Sequence, residues 1–178
     1  MGIRYGQEER LQHEPQFGDR VMEMHNFTYT YDKFNKEKQL DVNEIAIPKG
    51  EVVAIIGDNG SGKSTFAKCL CGLLKDFQGH VTYDEKRLKQ KQLLKQSYMV
   101  FQDVNTQLFT ESLEQELQLL NVQVTDTQVD DMLASMNLLD KKHEHPLSLS
   151  GGEKQRMAIA TAILSAKEII CLLYTSDA

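Results

Sequence analysis

The sequence lacks any stretch that could cross a membrane as a helix. None of its apolar runs approaches the roughly 20 residues that a bilayer-spanning helix needs. We therefore expect no transmembrane segment, and we expect no signal peptide at the N-terminus. Internal repeats and low-complexity tracts are also absent, which excludes repeat architectures. At 178 residues the length predicts a single domain.

Cysteine and net positive charge are scarce as well. The three cysteines, Cys69, Cys71 and Cys171, show no metal-ligand spacing, and reduced thiols of a cytosolic protein are the simplest interpretation. The formal net charge is −6, so the composition indicates no nucleic-acid partner. Basic residues concentrate in residues 86–95, which we interpret as a solvated helix face. Contact with anionic lipid head groups is the alternative.

The most informative motif is a glycine-rich loop of the pattern G-x-x-x-x-G-K-S, called the phosphate loop below. Its glycines permit positive φ and let backbone N–H groups approach phosphate oxygens. Lys63 supplies a cation for the β- and γ-phosphates, and the Ser64 hydroxyl is placed to ligate Mg²⁺. The carboxylate of Asp58, at a free position of the pattern, must point away from the phosphates. The predicted ATP and Mg²⁺ site comprises Gly57, Asp58, Asn59, Gly60, Ser61, Gly62, Lys63, Ser64 and Thr65.

The segments around this loop have the order strand, loop, helix. Residues 51–56 are a short β-branched run typical of a buried parallel strand, and residues 64–74 carry apolar side chains at helical spacing. This order aims a helix N-terminus at an anion. Elsewhere we predict an antiparallel strand pair (about 21–31 and 42–47) and strands near 80–83 and 97–101. A helical insert over about 112–137 has one face formed by Val129, Met132, Leu133 and Met136.

A second motif, here called the signature motif, is Leu149-Ser150-Gly151-Gly152-Glu153. Ser150 has the position of a helix N-cap, and Glu153, three residues later, completes a capping-box pattern. Gly151 and Gly152 leave the amides at the helix start unobstructed. An ordinary capped helix is the alternative interpretation. The phosphate loop on the same chain favours a second anion site instead.

Together the two motifs resemble those of the ABC transporter ATPases, over roughly residues 21 to 170. The resemblance implies an α/β P-loop NTPase cassette with a mostly parallel core sheet, an N-terminal antiparallel β-subdomain and a helical insert. It implies ATP and Mg²⁺ as ligands and ATP hydrolysis as the activity. It also implies that the signature motif serves the ATP held by a second cassette. A homodimer, a heterodimer and a tandem of two cassettes all remain open.

The same resemblance assigns roles to two residues outside the motifs. Tyr29 resembles the aromatic residue that stacks on adenine. A strand aromatic that faces the core is the alternative interpretation, and Tyr31 is a rival for the role. Gln102 follows a strand-like run and resembles the glutamine that contacts Mg²⁺ and the attacking water.

Residues 102–117 resemble more specifically the ATPases of energy-coupling-factor (ECF) importers. Those proteins take up vitamins or transition-metal ions, and related chains often carry two cassettes in tandem. The resemblance implies a transmembrane transporter subunit as partner and a peripheral position on the cytoplasmic face of the membrane. The alternative is a soluble ABC ATPase that acts on ribosomes or DNA. The short distance between Gln102 and Leu149 leaves no room for the long coiled coil of DNA-repair ATPases.

Both ends of the sequence are expected to lie outside the cassette, which we assign to residues 20–170. Residues 1–19 are polar and aperiodic, as in an extension or a linker remnant. The family's spacing places the catalytic carboxylates near Leu173 and Tyr174, so the general base is absent and the cassette is incomplete at the C-terminus. Residues 171–178 can be encoded by DNA containing TGTCTCTTATACACATCT, the end of a transposon-based sequencing adapter. We interpret them as an adapter artefact, and we expect this chain to bind nucleotide without hydrolysing it.

Overall fold

A computed structural model describes residues 20–31, 40–48 and 50–174, so the predicted extension (1–19) and the last four tail residues lie outside it. The described residues belong to two compact units that divide between Leu94 and Lys95. None of the helices in these ranges has the length and apolar character needed to cross a membrane. The described elements in chain order are β1 (Arg20–Tyr29), β2 (Leu40–Pro48), α1 (Lys63–Leu70), β3 (Gln78–Tyr83), β4 (Lys86–Leu88), α2 (Gln90–Gln96), β5 (Ser97–Val100), α3 (Leu113–Gln118), α4 (Asp126–Ser135), α5 (Gly151–Leu164) and β6 (Ile169–Leu172), with 3₁₀ turns at Val104–Thr106, Leu139–Lys141 and Pro146–Ser148.

The first unit is built on a four-stranded antiparallel sheet of order β2-β1-β3-β4. Met24 of β1 is fully buried and lies opposite Ile45 of β2 on one side and Val81 of β3 on the other. Phe27 packs edge to face on Phe66 of α1, with ring centroids 6.4 Å apart. This ring contact joins the sheet to the phosphate-loop helix. The predicted antiparallel pair and the strand near residues 80–83 are confirmed.

The basic segment at residues 86–95 begins with β4 rather than with a helix. The prediction of a solvated helix face is therefore wrong for residues 86–88. β3 and β4 are joined by a tight turn in which Asp84 and Glu85 have φ of 46° and 63°. Positive φ at both central residues is the geometry of the favoured two-residue hairpin. The turn contains neither Gly nor Asn, so the sequence carried only a weak hairpin signal. Helix appears only from Gln90 onward, in α2.

The buried strand predicted at residues 51–56 is not formed. These residues lie outside any helix or strand, and Val52 is 97% exposed. A β-branched run becomes a strand only where a neighbouring strand completes its hydrogen bonds. In the described part of the first unit, the four strands pair with one another and leave this segment out. The preference of residues 51–56 for a strand is therefore not realised, because none of the described strands pairs with them.

Helix α1 ends at Leu70, four residues earlier than predicted. Gly72 follows with φ of 71°, its N–H donates to Cys69 O at 2.9 Å, and the Leu73 N–H donates to Lys68 O at 2.8 Å. This pair of hydrogen bonds is the Schellman motif, in which a left-handed glycine ends a helix. The apolar spacing continues beyond Leu70, but the glycine stops the helix first.

The second unit contains a separate two-stranded sheet. β5 and β6 pair in parallel, with Ser97 opposite Ile169 and Val100 opposite Leu172. The strand predicted at 97–101 is confirmed, and this pair is what the described residues show of the expected core sheet. β6 includes Cys171 and Leu172, two residues of the segment interpreted as adapter, because apolar side chains suit a strand whatever their origin.

Three helices of the second unit enclose one apolar core. The predicted insert is divided into α3 and α4, with a loop between them that ends at Thr125, the N-cap of α4. Val129 and Leu133 are fully buried, while Met132 and Met136 pack against the same cluster, so the predicted apolar face is confirmed. The buried members of the cluster are Leu108, Leu113, Leu117, Val124, Val129, Leu133, Leu138, Leu149, Met157 and Ala160.

Candidate functional site

Lys63 is hydrogen-bonded to the backbone of the phosphate loop in which it lies. The Lys63 Nζ donates to Gly57 O at 2.7 Å and to Asp58 O at 2.8 Å. The Ser61 N–H donates to the same Asp58 oxygen at 3.1 Å and closes the turn. Because main-chain carbonyls carry no net charge, these contacts order the ammonium group and leave its positive charge uncompensated. A cation in this state is suited to receive phosphate oxygens.

The backbone after this turn presents the start of α1. Gly60 and Gly62 have φ of 81° and 93°, and the first helical hydrogen bond runs from the Phe66 N–H to Gly62 O at 2.8 Å. The N–H groups of residues 63–65 therefore precede the first turn and have no acceptor within the helix. Together with the helix dipole they form an anion-binding geometry. Ser64 is exposed in this first turn, as a Mg²⁺ ligand must be. Occupation by ATP stays a prediction.

The two candidate adenine residues lie side by side. The rings of Tyr29 and Tyr31 meet edge to face with centroids 4.9 Å apart. The Tyr31 hydroxyl is 3.1 Å from the Thr65 Oγ1, which joins the end of β1 to the first turn of α1. Tyr31 is therefore tied directly to the phosphate-loop helix, and its ring is 55% exposed. Both tyrosines remain candidates for stacking on adenine.

Gln102 lies two residues beyond β5 and is exposed. Ligand-binding groups collect at the carboxyl ends of parallel strands. At the same end of β6 the Leu173 N–H donates to Val100 O at 2.9 Å, and Tyr174 is 76% exposed. These two positions, where the resemblance places carboxylates, carry an aliphatic and a phenolic side chain. Neither can act as a general base for water at neutral pH.

The signature motif begins α5 with a three-residue chain of hydrogen bonds. One Glu153 oxygen, Oε2, accepts from the Ser150 N–H and from the Ser150 Oγ–H, both at 2.8 Å. The other, Oε1, accepts from Lys141 Nζ at 2.8 Å. The ammonium of Lys141 and the Ser150 donors lower the pKa of Glu153 to about 2. The glutamate part of the predicted capping box is thus present.

The two glycines of the motif leave the helix start open. A Cβ added at Gly151 would meet nothing within 4 Å, and one at Gly152 would only approach the end of the Arg156 side chain at 3.9 Å. Leu149, just before the cap, is buried in the core of the second unit. Arg156 Nε donates to Met136 O at 2.9 Å and fixes α5 to the end of α4. The motif is therefore an accessible helix N-terminus on a rigid support.

Three supporting residues were not identified from the sequence. Lys141 holds Glu153, Gln107 holds the end of β5, and the buried Glu116 carboxylate accepts hydrogen bonds from the backbone of Phe109 and Thr110 at 3.1 and 3.0 Å. Glu116 was detectable, since it occupies a core position of α3. The other two carry no local signal, because their partners are distant in sequence or on the backbone.

Comparison with known proteins decides the family. A family model described as ABC transporter matches residues 40–172. The chain belongs to the ABC transporter family. Among curated relatives of this cassette, a putative ABC transporter ATP-binding protein of Treponema denticola is 45% identical over 121 residues, which cover 68% of this chain and 25% of that protein. The energy-coupling factor transporter ATP-binding protein EcfA1 of Lactococcus lactis is 37% identical over 163 residues, covering 86% of this chain and 59% of that protein.

Solved structures support the same assignment for the cassette. The structure of cbiO1 from Clostridium perfringens, described as part of the ABC transporter complex cbiONQ, matches with a TM-score of 0.72 and 28% identity over 86% of this chain and 65% of that one. A bacterial Atm1-family ABC exporter with ATP bound matches with a TM-score of 0.72 and 25% identity over 86% of this chain and 29% of that one. The expected α/β ABC fold is confirmed. The cassette spans a quarter to about three fifths of the two curated relatives.

Proposed function

We propose that this cassette binds ATP and Mg²⁺, and that the protein to which it belongs hydrolyses ATP to drive an ECF-type importer. The observation that carries the nucleotide assignment is Lys63, ordered across the phosphate loop by two carbonyl oxygens at the start of α1. The names of the EcfA1 and cbiO1 relatives support the importer assignment. The relatives reported above are named as transporter proteins, so they lend no support to a ribosome- or DNA-directed ATPase.

Nucleotide binding follows from the loop's geometry. The amides of residues 63–65 and the α1 dipole would bind the β- and γ-phosphates, and the Lys63 ammonium would exchange its carbonyl acceptors for phosphate oxygens. Tyr29, or Tyr31 in its place, stacks on adenine. Ser64 and Gln102 each carry a hard oxygen donor of the kind that Mg²⁺ prefers, and the family resemblance gives both residues the role of holding the ion. When bound, Mg²⁺ neutralises charge on the phosphates.

The first partner we propose is another cassette. Residues 150–153 form an accessible helix N-terminus that is separate in sequence from the phosphate loop. In the family that this chain resembles, such a helix faces the ATP held by a partner cassette. The matched segment is 25% of the Treponema denticola relative, so that protein is long enough for two cassettes. The match covers 59% of the EcfA1 relative, which is too short for two such segments, so a tandem, a homodimer and a heterodimer all remain open.

The second partner is a transmembrane subunit, which would place the cassette peripherally on the cytoplasmic face of the membrane. We assign the contact to the helical insert and residues 102–109, where Phe109 is 69% exposed on a turn held by Glu116. The transported molecule, a vitamin or a transition-metal ion in ECF importers, would be selected by the membrane subunits. Recovery of the native protein with hydrophobic membrane subunits is expected. Recovery with ribosomes instead would contradict the importer assignment.

Substitution of Lys63 tests the nucleotide assignment directly. Lys63→Ala removes the ordered cation, and the loss of charge-assisted hydrogen bonds should raise the Kd for ATP by about 10- to 100-fold. Lys68→Ala is the matched control, since it removes the same charge from the last turn of the same helix. Titration calorimetry at fixed ionic strength measures both. An ATP affinity that Lys63→Ala leaves unchanged would show that this loop is not the site.

A further inference from the structure

The end of β5 is hydrogen-bonded along both of its edges. On one edge, Val100 O accepts from the Leu173 N–H that follows β6. On the other edge, the Gln107 Nε2 donates to Met99 O at 2.6 Å, and the Gln107 Oε1 accepts from the Phe101 N–H at 2.7 Å. These are the two backbone groups that a further strand would pair with. The Gln107 carboxamide therefore takes the place of a neighbouring strand.

A compact turn brings Gln107 back to β5. Asp103 begins the turn, and its Oδ1 accepts from the Asn105 N–H at 3.1 Å. The Gln107 N–H then donates to Val104 O at 3.0 Å. Val104 is buried and packs with Val100 and the α5 residues Ala158 and Ala162. The turn is thus anchored to the core of the second unit, which holds the carboxamide in position.

Gln102 lies between Phe101 and Asp103, whose positions are held by the contacts described above. Its neighbour Phe101 is bound to Gln107, and its other neighbour, Asp103, begins the anchored turn. The Gln102 side chain is exposed and, within the part of the chain that the structure describes, makes no hydrogen bond. The backbone on both sides of Gln102 is therefore held by neighbouring contacts, and this backbone fixes the point from which the side chain extends.

We propose that Gln107 is a positioning residue for Gln102, fixing the backbone that carries the Gln102 carboxamide, the group to which the proposed function gives a role toward Mg²⁺ and the attacking water. The proposal rests on the proposed function, in which Gln102 has that role. The contrasting possibility is that Gln107 only closes the open edge of the sheet. A purely structural role would change stability without acting through Gln102.

Amide exchange in the nucleotide-free chain tests the first half of the proposal. Gln107→Leu removes both hydrogen bonds at similar volume, while Gln115→Leu makes the same change at an exposed position of α3. We expect the Phe101 amide to exchange about 3- to 10-fold faster in Gln107→Leu, as the loss of one hydrogen bond predicts, and to be unchanged in the control. Equal Phe101 exchange in the two variants would overturn the proposal.

The Mg²⁺ dependence of ATP binding tests the second half. The measured quantity is the ratio of the Kd in EDTA to the Kd in Mg²⁺, for Gln107→Leu, Gln102→Ala and the double variant. We expect each single variant to lower the ratio and the double variant to equal Gln102→Ala, because Gln107 acts through Gln102. Independent effects that multiply in the double variant would overturn the proposal.

A second substitution covers the case in which Gln107→Leu does not fold. In Gln107→Glu the carboxylate still accepts from Phe101 but opposes the Met99 oxygen, whereas the protonated acid can donate to it. At pH 7.5, where this carboxylate is ionised, the Mg²⁺ ratio should fall below that of the parent chain. A ratio equal to that of the parent chain would contradict the proposal. If the parent chain bound no ATP, the proposed function would fail, while Phe101 exchange would still decide whether Gln107 fixes this backbone.

Discussion

Replacing Gly72 with alanine should lower the unfolding free energy by about 1–3 kcal/mol more than the same replacement at Gly50. Both glycines have similar positive φ, 71° and 73°. Each alanine therefore meets the left-handed penalty of about 1–2 kcal/mol, offset by about 0.4–1 kcal/mol from the less flexible unfolded chain. The difference between the two variants removes these shared contributions.

Crowding distinguishes the two sites. At Gly50 a Cβ would meet nothing within 4 Å, but at Gly72 it would lie 2.8 Å from the Gln90 backbone oxygen and 3.1 Å from the Leu93 Cβ. A backbone oxygen at a helix start cannot rotate away, and the Gln90 side chain is itself bonded to Gly72 O at 2.9 Å. The start of α2 must therefore move. Overpacking of this kind costs about 1–3 kcal/mol.

Urea unfolding measures the difference, followed by circular dichroism and by tyrosine fluorescence, since the chain has no tryptophan. Coincident transitions from the two signals are needed before the free energies are compared, because the chain forms two units. Equal midpoints for the Gly72 and Gly50 variants at equal m-values would refute the reasoning. That result would mean that α2 does not pack against the end of α1 as described.

Two further predictions concern charge and chemistry. Because Lys141 holds the pKa of Glu153 at about 2, this carboxylate stabilises the fold at neutral pH, and its contribution is lost as the pH falls from about 4.5 toward 2. Lys141→Met should raise the pKa of Glu153 in an NMR titration, and an unmoved pKa would contradict the pairing. The purified chain should release phosphate from Mg²⁺-ATP no faster than its Lys63→Ala variant, since Leu173 and Tyr174 occupy the positions where the resemblance places the carboxylates and a general base contributes about 10²–10⁴-fold. Turnover like that of a complete cassette would show that the carboxylate positions were misassigned.

Local patterns in the sequence predicted the elements that depend on short-range physics. The helical spacing of Val129 and Leu133 in α4 places apolar side chains on one face, and the structure buries that face. The cap of α5 followed from the spacing of Ser150 and Glu153. The phosphate loop was recognisable because its glycines and Lys63 have chemical requirements that few other sequences meet.

Tertiary pairing decided what these patterns could not. Residues 51–56 have the composition of a strand, yet a strand forms only where another strand pairs with it, and the described sheet of the first unit leaves them out. Gly72 carried a helix-stop signal that the continuing apolar spacing obscured. The Gln107 carboxamide makes the hydrogen bonds of a neighbouring strand only because a turn folds it against the backbone of Met99 and Phe101. Sequence thus determined the motifs and their chemistry, whereas long-range hydrogen bonding decided which strands formed and which side chains hold the motifs in place.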